Sequence, residues 1–189
     1  MTLPFARHSA PLAALLMLGA CSMADRPRPI AVAVAPRVVD NPLTLAAERQ
    51  AQATFGGSAL KPGDYAWVAA AAMPKAGATS VLISMRNQRG YVYRAGQLVG
   101  ITTVSTGVPE HPTDPGRWTI LNKKKFHRSN KYSNAPMPHM QRLDHYGRAL
   151  HGGVVPGYPA SHGCIRLPPA MAKRLFDMTK VGDVVNIEA

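Results

Sequence analysis

The chain has 189 residues, 16 glycines, 17 prolines and a formal charge of +12. That length holds one domain plus a tail and leaves too little for a second core of ordinary size. So much glycine and proline excludes an all-helical bundle and suits strands joined by turns, while the basic excess favours an anionic partner such as nucleic acid, a membrane surface or an acidic polymer.

Arg7 is the only charged residue of the first twenty, and it precedes the apolar stretch Ala10 to Ala20, with Leu12, Leu15, Leu16, Met17 and Leu18. The stretch is too short for a permanent membrane span and reads as a secretory signal. Its end, Leu18-Gly19-Ala20-Cys21, resembles the bacterial lipoprotein signal, in which the cysteine is acylated and becomes the first mature residue. On that reading residues 1–20 are the signal peptide, and acyl chains on Cys21 hold the protein on a membrane without a spanning helix. The alternative is an ordinary leader cut near Ala20 or Ala24. Ser22 does not resemble the inner-membrane retention signal, so the expected location is periplasmic and anchored to the outer membrane.

Residues 21–60 are rich in Ala, Pro and Val, and Pro27, Pro29, Pro36 and Pro42 keep helix or sheet from propagating. They read as a flexible tether. One short helix is expected within it, from Leu43 to about Phe55, with Leu45, Arg49 and Gln52 at helical spacing and Gly56-Gly57 as its stop.

Residues 61–189 form the expected domain. Val81, Ile83 and Met85 alternate with Leu82, Ser84 and Arg86; a turn at Asn87 to Gly90 leads to Tyr91–Arg94, and a second at Ala95-Gly96-Gln97 leads to Leu98–Ser105. This is a three-stranded meander. Another strand is expected over Arg117–Asn122, followed by a long polar loop from Lys123 to Met140 of the kind that forms lids or substrate walls. Pro168-Pro169 open a helix striped with Met171, Leu175 and Met178, and Val184, Val185 and Ile187 close the chain as a strand. The fold class is mainly β, a sandwich with one or two short helices.

The candidate chemistry lies at Cys164, in the run Ser161-His162-Gly163-Cys164-Ile165-Arg166. The only other cysteine is Cys21 in the leader, so Cys164 has no disulfide partner in view and reads as a nucleophile. If His162 to Leu167 is extended, His162, Cys164 and Arg166 share an open face and Ile165 and Leu167 a buried one. A thiol is mostly protonated at neutral pH and needs a base. His151, thirteen residues upstream across Pro156, Gly157 and Pro159, is the candidate. Backbone N–H groups near Gly163 and Cys164 can face an oxyanion.

His151-Gly152 together with Gly157-Tyr158-Pro159-Ala160-Ser161-His162-Gly163-Cys164-Ile165-Arg166-Leu167 resembles the active-site signature of the L,D-transpeptidase catalytic domain, the YkuD type. Thr113-Asp114-Pro115-Gly116 departs from the family's threonine-proline-x-glycine by one place, and the spacing from His151 to Cys164 is at the short end of the pattern. The resemblance implies a YkuD-like β-sandwich in which Cys164 is the nucleophile, His151 its base and the Gly152 carbonyl the group that orients the imidazole. It further implies that Ser161, His162, Gly163 and Arg166 shape the substrate and oxyanion site. The implied reaction is acyl transfer between peptidoglycan stem peptides through a Cys164 thioester with loss of D-alanine, without metal or organic cofactor. Acylation of Cys164 by a carbapenem-type β-lactam follows from the same activated thiol.

Other readings are weighed beside this one. Water as acceptor makes the chain an L,D-carboxypeptidase, or an amidase acting on wall peptides or wall-lipoprotein links; loss of catalysis makes it a wall-binding lipoprotein. His139, His145 and His151 recur every six residues, but Pro138 and Gly147 interrupt any element joining them, so no metal is expected. The lysines Lys123 to Lys125 read as a solvated face, and with neither interleaved aromatics nor a helix-turn-helix no nucleic acid is expected.

Overall fold

The computed structural model describes residues 41–56 and 60–189. The leader, Cys21 and the tether as far as residue 40 lie outside the described residues, and no described helix is long and apolar enough to cross a membrane.

The expected meander is present as β2 (Thr79–Ser84), β3 (Arg89–Arg94) and β4 (Gln97–Thr103). With β1 (Tyr65–Trp67), β5 (Gly116–Thr119) and β10 (Val184–Glu188) these strands make a six-stranded sheet in the order β1-β4-β3-β2-β10-β5. Strand period sorts their side chains. Val81, Ile83, Val92 and Val99 enter the main core, while Leu82, Tyr91, Leu98 and Ile101 form a cluster on the opposite face. Leu98 and Ile101 are three apart and would face opposite ways in a regular strand. The register shift at Val92/Tyr93 leaves an extra residue in β4 and turns both to the same side.

Helix α1 (Pro42–Phe55) covers that side. Asn41 caps it by accepting the Leu43 N–H at 3.3 Å, and Gly56, with φ of 73°, ends it. The packed face is Thr44, Ala47, Ala51 and Phe55, while Leu45, Arg49 and Gln52, whose spacing announced the helix, are exposed. The sheet already presents Tyr91 and Leu82, and alanine lets a helix approach such bulk closely. The Thr44 N–H donates to the Glu188 carboxylate at 3.1 Å, a charge well placed at a helix N-terminus. The last part of the expected tether is therefore packed structure.

The expected strand 117–122 is two strands in two sheets. After β5 the chain turns through Ile120, which is 1% exposed, and continues as β6 (Asn122–Lys124) in a four-stranded sheet with β7 (Met140–Arg142), β8 (Ala149–Gly152) and β9 (Ile165–Leu167), in the order β6-β7-β8-β9. A strand pattern read from sequence does not show the handover, because Ile120 is buried between the sheets. Leu150, Ile165 and Leu167 from this sheet meet Met171 and Leu175 of α2 (Pro169–Met178) and the inner valines of the first sheet in one core. Burying each such Leu or Ile contributes roughly 2 kcal/mol. β8 and β9 run parallel, which needs a crossover of about a dozen residues, and residues 153–164 supply it. Ser105 and Arg166 exchange backbone hydrogen bonds at 3.0 and 2.9 Å, tying β9 to the end of β4.

Candidate active site

Paired residues in a parallel ladder point the same way. The register Leu150↔Ile165 and His151↔Arg166 therefore sends Leu150 and Ile165, both fully buried, into the core, and His151 and Arg166 to the opposite face. Cys164 immediately precedes β9, lies on the Arg166 side and packs against Met137, Met140 and Ala149. His151 is its diagonal neighbour, about one strand spacing (~4.8 Å) across and two residues (~6.6 Å) along. Both line a cavity of about 930 Å³ that is walled by residues from the segment 127–138 and by Gly163 and Arg166.

The His151 Nδ1 lies 3.0 Å from the Gly152 carbonyl. A carbonyl only accepts, so Nδ1 carries the proton and Nε2 keeps its lone pair. Burial holds the imidazole below its ordinary pKa; the Gly152 bond opposes this, and the charges of Arg166 and His127 add to it. Burial pushes the Cys164 thiol up, the Ala149 backbone pulls it down, Asp144 pushes it up, and Arg148 and Arg166 pull it down. Both shifts favour the uncharged form, of the thiol and of the imidazole alike. The thiol donates to the Gly147 carbonyl at 3.5 Å.

The approach to Cys164 is bent, contrary to the extended reading. Gly163 has φ of +101°, so His162 does not continue the face of Cys164 and Arg166. The Ser161 hydroxyl donates to the Cys164 carbonyl at 2.5 Å and accepts the Gly163 N–H at 3.2 Å. Ser161, 2% exposed, thus braces the loop at the edge of the cavity, and the Gly163 N–H is engaged; the Cys164 N–H has no partner among the described residues. Thr113 adds a second brace, accepting the Gly107 N–H at 2.8 Å and donating to the Gly163 carbonyl at 3.1 Å. His162 forms a cluster of three tilted rings with His111 and Tyr132, whose centroids lie 4.9 and 4.6 Å from its own. Arg166 is half-buried and has no salt bridge among the described residues.

Residues 78–187 match the family model of the L,D-transpeptidase catalytic domain, YkuD. The chain belongs to this family. An L,D-transpeptidase from Stackebrandtia nassauensis is 28% identical with a TM-score of 0.55, the match covering 65% of this chain and 61% of that one. One from Mycobacterium tuberculosis H37Rv is 22% identical with a TM-score of 0.57, covering 59% and 58%. L,D-transpeptidase 3 of Mycobacterium tuberculosis, in complex with a faropenem-derived adduct, is 20% identical with a TM-score of 0.54, covering 59% and 60%. The last two likenesses show the fold. The chain spans about three-fifths of the length of these solved relatives. No curated protein is significantly similar in sequence.

Several residues of this family member escaped the sequence reading. Asp144 accepts the N–H groups of Gly147 and Arg148 at 2.8 Å each, a turn pattern legible in Asp-x-x-Gly. Arg148 pairs with Asp144 at 3.2 Å and with Asp114, its guanidinium 4.7 Å from the Trp118 ring centroid. Thr113, His111 and Tyr132 reach the site from loops distant in sequence. Lys123 is not a solvated lysine: its ammonium donates to the carbonyls of Phe176 and Thr179 at the end of α2 and lies 4.3 Å from the Phe176 ring centroid. His139 packs against Phe176 and His145 is exposed, so the six-residue spacing gathers no cluster; no group of three potential metal ligands occurs among the described residues. Tyr146 and Tyr158 are exposed and do not pack.

Proposed function

We propose that this family member is a peptidoglycan L,D-transpeptidase in which Cys164 forms a thioester with a stem peptide. The observation that carries the reading is the shared face of Cys164 and His151 in one cavity, with the imidazole fixed by the Gly152 carbonyl so that Nε2 is free to accept a proton.

Nε2 of His151 takes the Cys164 proton as sulfur attacks the carbonyl carbon that joins the L-centre of the third residue to the terminal D-alanine. The Cys164 N–H faces the oxyanion, with Ser161 and Gly163 holding the loop that presents it. When the intermediate collapses, the C–N bond breaks and the imidazolium proton passes to the departing D-alanine amine. An acceptor amine then attacks the thioester, gives its proton to His151 and releases thiolate, which regains that proton. Arg166, without an acidic partner among the described residues, suits a carboxylate of the peptide, and His162 walls the pocket. No metal or organic cofactor enters these steps.

The N-terminal reading completes the proposal: residues 1–20 direct export, Cys21 is acylated, and the domain works in the periplasm held to a membrane. Replacing Cys21 with Ser should abolish incorporation of a labelled fatty acid and release the protein from membranes. A relative carries a faropenem-derived adduct and another is described in complex with imipenem, and we propose that a carbapenem-type β-lactam likewise acylates Cys164.

Digestion of a muropeptide mixture tests the reaction. Wild type should give crosslinked dimers and free D-alanine, and Cys164→Ala neither. Exclusive shortening of stems would replace the transferase reading with an L,D-carboxypeptidase.

A further inference from the structure

The Cys164 thiol rests on a carbonyl, that of Gly147, in the turn between β7 and β8. Three features fix that carbonyl. Gly147 adopts φ of +106°, a conformation that side-chain-bearing residues rarely take. One Asp144 carboxylate oxygen accepts the N–H groups of both Gly147 and Arg148, and the Leu143 N–H closes the turn on the Arg148 carbonyl at 2.8 Å. The other Asp144 oxygen meets the Arg148 guanidinium at 3.2 Å, and Arg148 is held outward by Asp114 and the face of Trp118. The Asp144 and Arg148 side chains are 9% and 11% exposed, so solvent screens their charges little.

We propose that Asp144 and Arg148 are positioning residues for the nucleophile: they fix the Gly147 carbonyl that holds the Cys164 proton, and their opposed charges set how readily sulfur releases it. This rests on Cys164 being the nucleophile, as proposed above. The carboxylate disfavours a thiolate and the guanidinium favours one, which agrees in sign with the shifts felt by the thiol. The pair therefore acts on Cys164 through the Gly147 turn and through its two charges. The other charged or titratable groups lining the same cavity are His151 on β8, Arg166 on β9, Arg142 on β7, His162 before the cysteine, Tyr146 in the same turn, and Glu110, His111, His127, Lys131 and Tyr132 from the loops opposite. All ten are unchanged in the test.

The test is the rate of iodoacetamide alkylation of Cys164 against pH in the full chain, for wild type, Asp144→Asn and Arg148→Gln. Asp144→Asn keeps an oxygen for the turn and removes the charge; its midpoint should move to lower pH, with alkylation several-fold faster at pH 7. Arg148→Gln should move the midpoint the other way and slow alkylation several-fold, and Arg148→Lys, which keeps the charge, should restore the wild-type profile. A merely structural turn would loosen in both variants and expose the sulfur, so a shift of both in the same direction, or no shift, overturns the proposal. If Asp144→Asn does not fold by circular dichroism, Arg148→Gln decides by its sign: an upward shift supports the proposal, and a downward one or none overturns it. Alkylation needs no peptide, so its outcome stands apart from that of the muropeptide digestion.

Discussion

The two sheets are built on different principles. The six-stranded sheet has longer strands, and its centre is covered on both faces, by the main core and by α1, so that Val81, Leu82 and Ile83 are all buried whichever way they point. The four-stranded sheet has strands of only three or four residues, and its loops are held by side chains bonded to backbone: Ser161 and Thr113 on the nucleophile loop, Asp144 on the turn beneath it, Lys123 at the end of α2. Both sheets share the main apolar core, and the second adds specific polar contacts that hold its loops. The proposed pair, Cys164 and His151, sits on the second, where a few bonds can place a sulfur atom at a defined point.

Substitutions should separate the two regimes. The largest effect belongs to Cys164→Ala and His151→Ala, each expected to lower product formation by at least about a thousandfold with little change in melting temperature; comparable turnover in either variant would break the comparison. Thr113→Val strips partners from the Gly107 N–H and the Gly163 carbonyl, and should cut turnover by about ten- to a hundredfold, more than its loss of about 2 kcal/mol in stability explains. Denaturant unfolding run beside steady-state kinetics separates the two. In the first sheet the balance reverses: Ile83→Ala should cost about 3 kcal/mol of stability while the alkylation profile of Cys164 stays put. Glu188→Gln, which weakens the charge at the α1 N-terminus, should cost about 1 kcal/mol and leave turnover unchanged.

The acidity of His151 offers a finer probe. Its folded-state pKa is depressed by burial, so the imidazole stays a neutral base as pH falls from 7 and is lost only when the pH passes through that lowered value. The acid limb of kcat/KM should therefore lie below the ordinary imidazole range. A limb at or above that range would mean that the base is solvated or is another group.

The first sheet was legible because its information is local. Alternation at Val81 to Met85 and the turns at Asn87 to Gly90 and Ala95 to Gln97 determine three strands without reference to anything distant. Cys164 and His151 were legible for a different reason, since a thiol flanked by histidines and glycine is a chemical pattern. What escaped depends on partners far along the chain. Thr113 meets Gly163 across fifty residues, and Lys123 finds carbonyls more than fifty residues on. The packed side of α1 was not legible because it is made largely of alanine and threonine, which carry little periodic signal; the bulk of Tyr91 and Leu82 opposite makes small residues the right ones there. The handover at Ile120 was hidden because one apolar run served two sheets. At Ser161 the family pattern was legible but the backbone bonds were not: a hydroxyl two residues before a glycine reaches its own backbone once the φ of Gly163 bends the chain.

The most direct test of a transient sulfur-bound acyl group is to mix the protein with a tetrapeptide-bearing muropeptide, quench in acid and weigh the intact protein. The account predicts a gain equal to the muropeptide less one D-alanine, mapped by proteolysis to the peptide containing Cys164 and absent from Cys164→Ala. Crosslinked product formed without any such adduct, or an adduct on another residue, would contradict it.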